Sequence, residues 1–183
     1  MLAACGHGGK ATVDRSELPG LVLQPKDLGP SFSQFDQGKQ TRLDAHPGPR
    51  EDPARFGRAE GWKARYRLIR PLAQGAAVVE SRVDLFKSVA GAKKDLGAYR
   101  EELDAEIPGS GTTTTLLDVP RIGDASVAAE LRQGPAVFLT VAWRDANATA
   151  SVVVEGTTGK TTLDDAVVLA RRQERHIAGA AKS

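Results

Sequence analysis

Apolar and polar residues alternate with a period of two along several stretches of this chain, and with a helical period along others. In Trp62, Ala64, Tyr66 and Leu68, interleaved with Lys63, Arg65, Arg67 and Ile69, the alternation predicts a strand over 62–69. A second strand over 77–86 sets Val79, Val83 and Leu85 on one side and Glu80, Arg82 and Asp84 on the other, with a turn region at Gln74-Gly75 before it. As a hairpin, the two would bring Lys63 near Asp84 and Arg67 near Glu80. The basic row is then an ordinary charge-paired, solvated face; its functional reading is a patch for an anionic lipid, glycan or phosphate. The most regular hairpin covers 136–143 and 148–155. Val137, Leu139, Val141 and Trp143 alternate on one arm and Ala148, Ala150, Val152 and Val154 on the other. Asp145-Ala146-Asn147 connects them, with Asn147 expected in the left-handed conformation.

Helical spacing follows Ser88, a good N-cap: Val89, Ala92, Leu96, Tyr99 and Leu103 form the inward face, with Lys93, Lys94, Asp95, Arg100 and Glu101 on the wet side. A last helix opens at Thr162 with Asp165 in the capping-box position, and Leu163, Ala166, Val167, Ala170 and Ile177 face inward. Arg171, Arg172 and Arg175 near its end suit the helix dipole and need no partner. Before the first strand, Leu18–Leu23 reads as a short extended piece, Lys26–Leu28 as a turn of helix and Phe32–Phe35 as a strand, because Pro19, Pro25 and Pro30 interrupt anything longer. Residues 37–61 are polar and proline-bearing and read as a long exposed loop. Thr112–Thr115 reads as an extended linker, followed by a turn at Gly123-Asp124 and a strand containing Val127 and Leu131.

Length changes the picture little: 183 residues hold one domain comfortably, set at 17–180 behind a tether over 1–16. Apolar content of 40% suffices for a core, but aromatics are only 5%, so small aliphatics must fill it. With 25 basic and 23 acidic residues interspersed, the net charge of +2 argues against a nucleic-acid partner. The single cysteine excludes an internal disulfide and a cysteine-cluster metal site.

That cysteine carries the clearest address. Leu2-Ala3-Ala4-Cys5 has the form of a bacterial lipobox, in which the chain is cut before the cysteine and the thiol receives a lipid. Gly6–Ser16 is polar and glycine-rich, the composition of a flexible tether. The basic and apolar regions of a complete signal do not precede the box in this sequence. A start at Met1 would make the chain cytoplasmic, and a lipid on Cys5 would make it an envelope protein held to the membrane.

Catalytic chemistry is harder to place. Gly156–Thr162 (GTTGKTT) sits where a P-loop would, but the position needing the first glycine is Val154, and Gly156 is too close to Gly159 to leave a phosphate cradle. His7, His46 and His176 are scattered without ligand spacing, and His176 is expected to be solvated. Cys5 lies in the tether, with nothing to hold a base against it. No metal, cofactor or catalytic residue is expected. The best binding guess sets Trp62 and Tyr66, with Arg65 and Arg67, beside the 37–61 loop; the ordinary reading makes Trp62 and Tyr66 core residues.

The LVLQPKDLGPSF stretch, the VVESRVDLFKS strand-to-helix step, RIGDAS and the AWRDANATASVVVEG hairpin together resemble uncharacterised bacterial envelope lipoproteins and extracytoplasmic sensor-like domains. The resemblance implies one α+β domain, with an antiparallel, curved sheet carrying two main helices packed on one face. The expectation is a lipid-anchored, non-enzymatic binding protein of the envelope, whose partner is an envelope protein or a small ligand. Its rivals are a small envelope hydrolase, built for example from Asp124, His46 and Arg144, and an assembly adaptor that captures partners along a strand edge. The oligomeric state stays open.

Overall fold

The computed structural model describes residues 12–40, 50, 53–69, 75–105 and 112–181. Cys5, His7 and His46 lie outside them. Among the described residues the alternating stretches form seven strands: β1 (Phe32–Lys39), β2 (Arg58–Leu68), β3 (Ala76–Phe86), β4 (Thr112–Leu117), β5 (Ala125–Gln133), β6 (Ala136–Asp145) and β7 (Ala148–Thr157). The helices are α1 (Leu18–Leu21), α2 (Pro25–Leu28), α3 (Val89–Asp104) and α4 (Leu163–Ala180). Short 3-10 turns occupy Arg15–Glu17 and Pro53–Phe56.

The strands make one antiparallel sheet in the order β1-β2-β3-β7-β6-β5-β4. The chain runs outside-in through β1–β3, crosses by α3 to the far edge, and returns strand by strand until β7 lies beside β3. This is the α+β fold on an antiparallel sheet that the sequence predicts.

Register decides which residues share a face. Val79, Val83 and Leu85 of β3 pair with Val154, Ala150 and Ala148 of β7, and Val154 and Ala150 pair in turn with Leu139 and Trp143 of β6. On this side α4 packs on β6 and β7, and α1 packs on α4, β2 and β3. Trp143, Tyr66, Leu21, Leu139 and Ile177 are fully buried there, each contributing roughly 1.5–3 kcal/mol. The opposite side of β3 and β7 carries Arg82 and Asp84 against Ser151 and Thr149. Here lies α3: the Thr149 hydroxyl donates to the Ala92 carbonyl at 3.2 Å, and Leu96 packs with Val127 and Ala142. The two long helices, expected together, therefore sit on opposite faces of the sheet. The physical reason is that Asp84, Thr149 and Ser151 pattern as solvent-facing yet are 3%, 3% and 5% exposed.

Other local readings also change. Leu18–Leu21 is helical rather than extended and lays Leu18 and Leu21 in the core. The threonine run is the first two-thirds of β4, not a linker. The expected loop contributes its ends to β1 and β2, and the 3-10 turn at Pro53–Phe56 lies between them. In the β6–β7 turn the left-handed residue is Ala146 (φ 49°), not Asn147. Asn147 is buried and accepts from Val13 N at 2.8 Å while donating to Phe86 O at 3.0 Å, so it staples the N-terminal segment to the sheet end. Val13 thus belongs to the folded body, ahead of the boundary expected at residue 17.

Both caps hold as the sequence predicts: Ser88 Oγ accepts from Gly91 N at 3.1 Å, and Thr162 N donates to Asp165 at 2.8 Å. Gly156 is required by close approach, since a Cβ there would lie 1.9 Å from Thr161 Oγ1. The glycine–lysine–threonine stretch is a packed turn into α4.

Candidate functional site

Three polar groupings stand out, and they differ in what they are able to do. The first is buried beneath α3. Arg50 reaches in with a two-pronged contact to Asp95 (Nε to Oδ1 3.0 Å, Nη2 to Oδ2 3.1 Å) and a third contact to Asp84 Oδ2 at 3.3 Å. Arg58 Nε holds the other Asp84 oxygen at 2.6 Å, and the Arg50 guanidinium lies 4.1 Å over the Tyr99 ring centroid. Burial works against the Arg50 charge, but Asp95, Tyr99 and Asp84 outweigh it and hold the guanidinium above its ordinary value. Burial likewise pushes Asp95 up, with Arg50 opposing. Asp95, expected on the wet side of its helix, is fully buried. Every charge here faces an opposite one, so the cluster holds Arg50 against the sheet and α3. It is a structural lock.

The second grouping is open. Beyond the edge of α3, on the same side of the sheet, the β1–β2 hairpin presents Arg65 and Arg67 to the ring of Phe35, at 5.1 and 5.7 Å from its centroid. Phe35 sits at the bulge between Gln34 and Asp36 and is 41% exposed. Ile69, two positions after Arg67, is 59% exposed. Together they are two of the three large apolar side chains exposed among the described residues. Arg65 pairs with Glu80 at 3.1 Å and Lys63 with Asp36 at 3.3 Å. Those partners are displaced from the expected ones because Lys63 lies opposite Arg82, and Arg65 opposite Glu80. Gln40 Oε1 and Glu102 Oε1 are buried without a hydrogen-bond partner among the described residues, and burial pushes Glu102 up.

The candidate binding residues are thereby split. Arg65 and Arg67 share the α3 side, whereas Trp62 and Tyr66 point to the α4 side, as the pairings of Trp62 with Val83 and Tyr66 with Val79 require. The Tyr66 hydroxyl donates to the Leu23 carbonyl, and burial, with Asp27 nearby, pushes it up to about 12. Trp62 packs half-buried against the core. Both aromatics are core residues, and one pocket cannot take all four side chains.

The third grouping lies where α4 crosses the end of β6. Trp143 Nε1 donates to Glu174, and Asp145 shares a hydrogen bond with the same carboxyl. Burial first, then Asp145, pushes Glu174 up to about 8, against the pull of the indole. Asp124 and Arg144, two members of the expected hydrolytic set, do form an ion pair nearby. His176 is not simply solvated: its Nδ1 lies 3.2 Å from Val22 O and its Nε2 3.4 Å from Asp27. Sequence spacing gave no signal for Glu174, because its partner Asp145 lies on a strand remote in the chain. No group of three or more His, Cys, Asp or Glu side chains placed to hold a metal occurs among the described residues.

No family model and no curated protein matches the chain. A solved structure does: the extracellular domain of PknH from Mycobacterium tuberculosis, at 13% identity and a TM-score of 0.62, over 91% of this chain and 99% of that one. What the two share is the fold.

Proposed function

We propose that the chain is a lipid-anchored, extracytoplasmic binding domain of the bacterial envelope that works by recognition rather than catalysis. The observation that carries this reading is the full-length likeness of its fold to a domain that is extracellular in its own protein. The lipobox form of Leu2–Cys5 supports it independently. The recognition surface is the open side of β1–β2, where exposed Phe35 and Ile69 adjoin Arg65 and Arg67.

The test expresses the gene with its upstream DNA in a bacterial host, then compares wild type with Cys5→Ala by intact mass and membrane fractionation. A diacylglyceryl-sized mass and membrane association, both lost in the variant, are expected. An unmodified soluble protein in both would overturn the reading. The carboxyl pair favours a second reading, a hydrolase with protonated Glu174 as general acid and Asp145 beside it. Turnover of an envelope polymer abolished by Glu174→Gln, with the fold intact, would establish it; unchanged turnover in that variant would dismiss it.

A further inference from the structure

We infer that the α3 side of the sheet docks onto an anionic bilayer surface, with Phe35 and Ile69 entering the interface and Arg65 and Arg67 meeting lipid phosphates. Three observations converge on that side. Among the described residues the helices leave the far end of the β1–β2 part of this face uncovered: α1 and α2 pack on the other side, α3 contacts β3 through β7, and the 3-10 turn at Pro53–Phe56 reaches β2 next to Arg58. The open part carries exposed apolar bulk next to guanidinium groups, rather than the charges alone that keep a solvated sheet soluble. The exposed side of α3 continues the same sign, with Lys93, Lys94 and Arg100 against Glu101 and Asp104.

The chemistry selects the occupant. Aromatic and aliphatic side chains ringed by arginines match the boundary between headgroups and acyl chains, where the apolar parts leave water and the guanidinium groups keep phosphate contact. A soluble polyanion would use the cations and leave Phe35 and Ile69 in water. The placement also has a mechanical consequence. The N-terminal segment is fastened at the Arg58 end of β2, through Arg15 to Ala59 O at 3.1 Å and Val13 to Asn147, whereas Ile69 is at the other end. With an anchor at one end and the patch at the other, β2, about 35 Å long, would lie along the bilayer. Docking itself needs no lipid on the chain, so it stands or falls separately from the anchor.

The experiment uses the full chain carrying Cys5→Ala, which removes the one cysteine, and measures co-sedimentation with phosphatidylcholine vesicles with and without phosphatidylglycerol. Binding only to the phosphatidylglycerol vesicles is expected. Charge reversal by Arg67→Glu should weaken it about thirtyfold, because each basic group near such a surface contributes about fivefold and reversal counts roughly twice. A Phe35→Cys variant in the same background, labelled with an environment-sensitive dye, should shift to the blue on these vesicles. Binding indifferent to Arg67→Glu, absence of binding, or a dye that stays in water while heparin competes with equal strength would each overturn the inference, the last in favour of a soluble polyanion. Lys160→Glu, on the turn before α4, serves as the charge-matched control and should leave binding within about twofold.

Discussion

Replacing Glu174 with glutamine should make the protein more stable in alkaline solution and leave it unchanged in acid. Glu174 lies between the Trp143 indole, which donates to it, and Asp145, and it is held protonated up to about pH 8, against an ordinary value of 4.5. Between those two values the folded protein binds a proton that the unfolded chain has released, so stability falls as pH rises through the window. At about 1.4 kcal/mol per pH unit the full interval would correspond to about 5 kcal/mol. Partial exposure of the side chain screens this, and about 2 kcal/mol is the better expectation. Glutamine keeps an acceptor for the indole and a donor for Asp145 and never ionises, so it reproduces the protonated state at every pH. The assay is urea unfolding, followed by tryptophan fluorescence, of wild type and Glu174→Gln at about pH 5 and about pH 9. The two should agree within about 0.5 kcal/mol in acid, with the variant ahead by about 2 kcal/mol in alkali. Titrating groups that do not interact with Glu174 cancel in the difference. A constant difference across the range would refute the reasoning, since it would mean that Glu174 titrates as it does in the unfolded chain.

The remaining expectations concern the covered face and its turns. Arg50→Ala leaves Asp95 buried without its counter-ion and should cost about 3 kcal/mol in chemical denaturation, while Arg65→Ala, whose ion pair is partly solvated, should cost less than about 1 kcal/mol. Gly61→Ala would place a Cβ 2.1 Å from both Arg58 Nη2 and Asp84 Oδ1, so it should separate that pair and lower stability by about 2–4 kcal/mol, read as a lower urea midpoint. Ala146→Gly removes a left-handed alanine from the β6–β7 turn and should raise the melting temperature by roughly 2–4 °C, about 1 kcal/mol.

Much of the fold was legible because its core is built from strands with one apolar side. Val79, Val83, Leu139, Val141, Val152 and Val154 alternate cleanly, and the caps at Ser88 and Thr162 are local signals read within a turn of chain. What failed was of two kinds. Pairing register between β2 and β3 depends on how the chain returns between them, so Arg65 rather than Arg67 meets Glu80, and no local residue announces that offset. The four threonines failed for another reason: a strand whose neighbour is supplied by residues 128–133 carries little alternation of its own.

The harder failure was the second buried face, and it bears on where binding resides. A sheet side lined by Arg82, Asp84, Thr149 and Ser151 has the composition of a wet surface, and Asp95 on α3 completes the disguise. Burial becomes tolerable only because Arg50, distant in sequence from both aspartates, delivers the compensating charge. Hydrophobic periodicity has no term for such a partner, so the same reasoning that found the α4 side put both helices there. The α3 helix shelters only the part of its face where each charge is answered, ending near the Arg50 clamp. Past that point the residue opposite Arg67 on β3 is Val78 rather than a carboxylate, and Phe35 on β1 lies outside the β3–β7 span on which α3 packs. The face is therefore sealed by internal ion pairing over one half; over the other, Lys63 and Arg65 are answered by Asp36 and Glu80, and Arg67 with exposed Phe35 and Ile69 is what remains for an anionic, partly apolar surface to meet.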